Sequence, residues 1–282
     1  MKLQQLRALC RARLEASRTA RPAYCSDLII QSVLKLERAA LLYREDELSE
    51  AAIALVRKKT ELRARGVPLS YVLHEAEFYG RKFKVGRGVL IPRPETELLV
   101  EAVLSFFPAG KPALFADWCT GSGCVAASLL LENSSLRGFG VDKSPQALRW
   151  ARINIALHGL EKSLTLIKNE EPAEAPVAEN SLDFITANPP YIPETELPGL
   201  MPEVRLYEPR AALDGGEEGL FLFKKFLSAF PRILKSGGML FFETAGERQV
   251  SRLEKLMPEV FVPVNKIIDY NGIIRHIIWR KR

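Results

Sequence analysis

Apolar positions along the chain fall first at helical spacing and later at strand spacing. Leu3, Leu6, Leu9 and Leu14 recur about every third or fourth residue, with arginines between them, and predict a helix over 2–17. Pro22 interrupts this pattern. Ser26 or Asp27 then caps a second predicted helix running to about Tyr43, with Leu28, Ile29, Val33, Leu36 and Ala40 as its buried stripe. Ser49 caps a third helix, which ends at Arg65 where Gly66 and Pro68 follow. From Glu77 to Ile91 the rhythm shortens to Phe78-Tyr79 and Phe83-Lys84-Val85 with glycines between, the pattern of a hairpin. Pro94 then opens an amphipathic helix with acids in its first turn.

After Pro112 strand and helix signals alternate. Strands are predicted at Ala113–Ala116, Leu136–Val141, Leu164–Ile167, Ser181–Ala187 and Met239–Thr244. Helices are predicted after Gly123, from Ser144 to Gly159, from about Glu217 to Leu234, and after Thr244. Two long strands flank Asn271-Gly272, a hairpin turn signal. Alternation of this kind predicts an α/β fold with a parallel sheet covered on both faces. A C-terminal antiparallel hairpin extends that sheet, and a small all-α domain precedes it. The boundaries read as a helical recognition domain over 1–75, a β-hairpin linker over 76–93 and the sheet domain over 94–282.

Charge and composition narrow the classes. The 282 residues are 47% apolar and 26% charged, as in an ordinary globular protein. No apolar run approaches the roughly 20 residues that span a bilayer, and the N-terminus lacks a signal core. A cytoplasmic protein with no membrane partner is the expectation. Cys10, Cys25, Cys119 and Cys124 form no CxxC, and with three histidines a Cys/His metal site is not expected. The net charge of +6 is uneven: residues 1–75 hold 14 lysines and arginines against 9 acids, or +5. Such a segment suits an acidic protein face, a ribosome or nucleic acid.

The chemistry gathers at strand ends. Asn188-Pro189-Pro190-Tyr191 ends the strand Ser181–Ala187, and neither proline can donate to a sheet. Proline also restrains the residue before it, so an amide side chain and a carbonyl are held in fixed directions. Two rigid acceptors suit a planar NH₂ group, although a plain strand stop has the same prolines. Asp117-Trp118-Cys119-Thr120-Gly121-Ser122-Gly123 forms a glycine loop before a helix, where backbone can approach a ligand. Asp142, ending the second strand of the sheet, is placed to accept from ribose hydroxyls. A GxGxxG fingerprint is absent and the Asn-Pro-Pro-Tyr corner has no place in hydride transfer. The combination points to S-adenosylmethionine.

Asn188-Pro189-Pro190-Tyr191 resembles the signature of methyltransferases acting on planar NH₂ nitrogens, including adenine-N6 DNA enzymes. Further stretches narrow the likeness: Gly66–Tyr71, Glu77–Gly80, Leu90–Glu97, Tyr207–Arg210 with Ala212-Leu213, and Gly215-Gly216. Together they resemble the peptide chain release factor N5-glutamine methyltransferases, the HemK/PrmC family, from about residue 66 onward. The resemblance implies a Rossmann-like S-adenosylmethionine-dependent methyltransferase sheet and methyl transfer to the glutamine amide of a release factor's Gly-Gly-Gln loop. It implies Asn188, Pro189, Pro190 and Tyr191 as catalytic and substrate-binding residues. Cofactor contacts would come from Cys119, Thr120, Gly121, Ser122, Gly123, Asp142, Asn169 and Asn188. Two departures stand out. Cys119 replaces the loop's usual first glycine, and Lys168-Asn169-Glu170 lies where an acid and an aromatic are usual. A monomer modifying a protein, without direct nucleic-acid binding, is the implied state. The alternative is a nucleic-acid amino methyltransferase using the same corner.

Overall fold

A computed structural model describes residues 1–43 and 47–282, and divides them into two compact units. The first comprises Met1–Ala76 with Met201–Tyr207, the second Glu77–Leu200 with Glu208–Arg282. The second segment of the helical unit lies within what the sequence pattern assigned to the sheet domain.

The helical unit holds α1 (Leu3–Ala16), α2 (Pro22–Leu34), α3 (Ala40–Tyr43), α4 (Glu50–Ala64) and α5 (Leu69–Leu73) around Leu3, Leu6, Ile29, Ile30 and Val56. Ser49 caps α4 by accepting from the Ala52 N–H at 3.3 Å, as its position predicted. Helix α2 differs from expectation. It begins at Pro22, not at Ser26 or Asp27, because Arg21 turns into the left-handed region and Pro22 takes N1. Asp27 is instead an ion-pair partner, accepting from Arg7 Nε at 2.6 Å and Nη2 at 2.8 Å. Lys35, also left-handed, ends α2 at Leu34, so the stripe expected through Tyr43 is broken. Arg63 is buried and donates through Nη1 to Val67 O at 3.0 Å and Glu203 Oε2 at 2.6 Å, tying in the second segment.

The chain then forms β1 (Ala76–Phe78), β2 (Arg81–Phe83), α6 (Glu97–Phe106), β3 (Ala113–Trp118), α7 (Cys124–Glu132), β4 (Leu136–Asp142) and α8 (Pro145–Leu157). It continues through β5 (Leu164–Lys168), β6 (Leu182–Ala187), α9 (Pro202–Tyr207), α10 (Phe221–Ile233), β7 (Leu234–Glu243), α11 (Glu247–Leu256), β8 (Phe261–Ile268) and β9 (Ile274–Lys281). β1 and β2 pair as the predicted hairpin. The other seven strands lie in the order β5-β4-β3-β6-β7-β9-β8. The first five are parallel, and the C-terminal hairpin adds β9 antiparallel to β7. β7 starts five residues before the expected Met239, because Leu234 pairs with Leu182 across a register shift.

Period-two alternation separates the two cores. Phe115, Phe184 and Phe241 pack on one face with Leu99 and Leu129. Ala116, Ile185 and Phe242 face the other side with Phe226 and Phe230. The Phe115 and Phe184 rings stack with centroids 5.0 Å apart, which locks the β3–β6 pairing. That pairing matters for the site. Strand order reverses at β3, so Trp118 lies beside both Val141 and Ala187. The glycine loop, Asp142 and Asn188 therefore emerge together from adjoining strand ends, at the switch point where such sheets bind ligands. No helix among the described residues is long and apolar enough to cross a membrane.

Candidate active site

The strand ends open into a cavity of about 750 Å³, counting the part exposed to solvent. Cys119, Gly121, Asp142, Asn169, Asn188 and Pro190 line it, with Val89, Leu222 and Phe226 among its apolar residues. Six of the eleven residues picked out from sequence are thus brought together. Thr120, Ser122, Gly123, Pro189 and Tyr191 are not in the lining.

The loop is held from beneath by Asp117. Its carboxylate is buried and accepts from Thr120 Oγ1 at 2.6 Å and Thr186 Oγ1 at 2.7 Å, joining the loop to β6. Burial pushes this carboxyl up to about 6, partly offset by the two hydroxyls. Thr120 therefore spends its hydroxyl on the scaffold. Ser122 is buried as well, and its carbonyl accepts from Asn154 Nδ2 at 2.9 Å. Cys119, Gly121 and Gly123 all have positive φ, at 58°, 57° and 77°. Cys119 thus holds the left-handed backbone shape that favours glycine, at the steric cost that a Cβ carries there. Burial, then Asp142 and Asp117, push its thiol well above the ordinary range, which favours the neutral thiol near neutral pH.

Asp142 accepts from Gly121 N at 3.0 Å through Oδ2 and from Ser144 N at 2.9 Å through Oδ1. Each carboxylate oxygen keeps acceptor capacity toward the cavity it lines. Burial raises its pKa, countered by those backbone donors. Asn169 is fixed by its N–H, which donates to Asp142 O at 3.1 Å, while its buried Oδ1 has no hydrogen-bond partner. A buried acceptor without a partner in a cavity wall is free to take a hydrogen bond from a bound ligand. The segments 88–90 and 209–212 of the cavity wall are joined by Glu208, which accepts from Ile91 N at 3.1 Å and Arg93 Nη2 at 2.6 Å.

The Asn-Pro-Pro-Tyr corner is clamped as well as stiff. Ile192 N donates to Leu213 O at 3.0 Å, and Gly215 N donates to Ile192 O at 2.8 Å. A Cβ on Gly219 would lie 2.2 Å from Tyr191 O, so only glycine admits the turn. Buried Gln249 closes the clamp, donating to Tyr191 O at 3.1 Å and Gly219 O at 2.9 Å. Beneath the corner, Asn188 Nδ2 donates to Thr96 Oγ1 at 3.2 Å, and Thr96 Oγ1 donates to Glu243 Oε2 at 2.7 Å. Tyr191 OH donates to Glu243 Oε1 at 3.1 Å, and His276 Nε2 lies 3.4 Å from Glu243 Oε2. Sequence reasoning missed Thr96, Glu243 and Gln249. Glu243 ends a parallel strand, as Asp142 does and as the residue before Asn188 does, and that position was the available signal.

A switch-point cavity with a glycine loop, an acid after the next strand and a rigid amide corner defines an S-adenosylmethionine-dependent methyltransferase. The family profile described as methyltransferase small domain matches residues 95–200, and that of the PrmC N-terminal domain matches 5–73. The chain belongs to the release factor glutamine methyltransferase family. It is 36% identical to the release factor glutamine methyltransferase of Thermodesulfovibrio yellowstonii, covering 90% of each chain. It is 38% identical to that of Nitratidesulfovibrio vulgaris, covering 86% of this chain and 81% of the relative. Among solved structures, P. horikoshii TYW2 in complex with MeSAdo matches with a TM-score of 0.50 at 15% identity, over 73% of this chain and 69% of that one. That likeness concerns the fold alone.

Proposed function

We propose that this chain methylates the side-chain amide nitrogen of the glutamine in the Gly-Gly-Gln motif of peptide chain release factors. The observation that carries the reading is the Asn188 corner: a rigid acceptor at the wall of the cofactor cavity, in a chain of this family. S-adenosylmethionine supplies an electrophilic methyl group. The residues present fit it. Asp142 offers acceptors for ribose hydroxyls, the orphaned Asn169 Oδ1 suits the exocyclic amine of adenine, and the apolar walls suit its ring.

An amide nitrogen is a poor nucleophile because its lone pair is delocalised. Asn188 Oδ1 makes no hydrogen bond among the described residues, so it is available to one N–H of the substrate amide. The Pro189 carbonyl takes the other. Two fixed acceptors orient the nitrogen and favour the positive charge that develops on it, without the cost of reorganising solvent. Tyr191 packs beside the flat amide. Burial and Glu243 raise its phenol above the usual range, so it remains an O–H donor to that carboxylate. The basic helical segment serves as the docking surface for the protein substrate, in a monomeric, cytoplasmic enzyme that does not bind nucleic acid.

The test is incubation with labelled cofactor and, in parallel, a release factor, DNA and RNA. Label entering only the release factor is the expected result. Label in nucleic acid alone would identify an amino methyltransferase of bases.

A further inference from the structure

The corner's two prolines restrain the backbone, but they do not decide which end of the Asn188 amide faces the substrate. Oxygen and nitrogen are nearly the same size, and a flipped amide would present an N–H donor to a substrate that brings donors of its own. Something outside the motif must choose.

The hydrogen bonds beneath the corner have a single sense. Glu243, as a carboxylate, only accepts, and it takes the Thr96 hydroxyl proton at 2.7 Å. Thr96 has one proton, so toward Asn188 it can only accept, and the atom it meets at 3.2 Å must be Nδ2. Thr96 and Glu243 are both buried, 3% and 1% exposed, so water does not compete for these bonds. Tyr191 fills the other Glu243 oxygen and keeps that carboxylate from turning. The three elements meet only in the folded sheet: Thr96 opens α6, Asn188 follows β6 and Glu243 ends β7.

We propose that Thr96 and Glu243 are positioning residues that fix the rotamer of the Asn188 amide, so that Oδ1 and not Nδ2 is offered to the substrate nitrogen. This rests on the glutamine-methylation reading above. It adds two residues to the reaction that touch neither substrate nor cofactor.

Thr96→Val keeps the side-chain shape and removes the acceptor. Presenting Oδ1 then leaves the half-buried Nδ2 without its partner beneath the corner, so the single-turnover rate on a release factor should fall roughly 10- to 100-fold. Cofactor affinity, measured by calorimetry, should stay at the wild-type value, and Thr96→Ser should recover most of the rate. A purely structural role predicts a lower melting temperature with the rate unchanged in the folded fraction. If Thr96→Val does not melt cooperatively, Thr96→Cys, with its weak acceptor, takes its place and must also be slow. Wild-type rates in the folded variant, or Thr96→Ser as slow as Thr96→Val, overturn the proposal while leaving the methylation reading intact. A wild-type enzyme inactive on release factors overturns both.

Discussion

Replacing Asn188 separates catalysis from folding in a way the geometry quantifies. Asn188→Ala removes one preorganised acceptor from the transition state, which is worth roughly 10²–10³ in kcat, or about 2.7–4 kcal/mol. Its cost in stability is smaller. The variant loses the 3.2 Å bond from Nδ2 to Thr96, a net contribution of about 1 kcal/mol, while Thr96 still donates to Glu243. A loss of that size lowers the melting temperature of a chain this long by about 2–4 °C. The glycine loop and Asp142 remain, so cofactor affinity should change little. Asn188→Asp is sharper still. It keeps an acceptor toward the substrate but places a second carboxylate against the one hydroxyl that Glu243 already uses. That variant should retain some turnover, bind the cationic cofactor at least as tightly and lose more stability than Asn188→Ala. Single-turnover methylation, calorimetric titration and thermal melts on both proteins give the three numbers. Full single-turnover activity in folded Asn188→Ala would refute the argument, as would losses of activity and stability in strict proportion.

Cofactor contacts give a second test: Asp142→Ala and Asn169→Ala should each weaken S-adenosylmethionine binding, the former by roughly 1.5–3 kcal/mol for a charge-assisted acceptor. Unchanged affinity in calorimetry would place the ribose or the adenine elsewhere. Asp117 supplies a pH signature. Its carboxyl titrates at about 6 in the fold against 3.8 when free, so the folded state holds the extra proton between those values. Stability falls as pH rises from about 4 to 6, by about 3 kcal/mol, and the penalty persists above. Asp117→Asn should lack that component, so its stability relative to wild type should improve across this window; a constant difference from pH 4 to 7 would contradict the assignment.

Local chemistry was legible where it is encoded by neighbours in the sequence. The prolines at 189 and 190, the glycines of the loop, and Ser144 before Pro145 each dictate backbone shape within a few residues. Strands β3 to β6 were readable because their apolar runs end at polar residues. Helix α2 was misplaced because Ser26 and Asp27 have capping chemistry, yet one is buried and the other is taken by Arg7. The partners of Asn188 were not legible for a different reason. Thr96 and Glu243 are 147 residues apart, and only the sheet order brings them under one amide. Thr120 and Ser122 belong to the loop in sequence, but their buried side chains support the scaffold instead of lining the cavity.

The proposed function turns on the methyl group going to a glutamine amide nitrogen. The most direct measurement is fragmentation mass spectrometry of a release factor after reaction with S-adenosylmethionine carrying a labelled methyl group. A single added methyl is expected on the side-chain amide of the Gly-Gly-Gln glutamine, absent when the enzyme carries Asn188→Ala. A methyl found on any other residue, or an unmodified glutamine in the presence of folded, cofactor-binding enzyme, would contradict it.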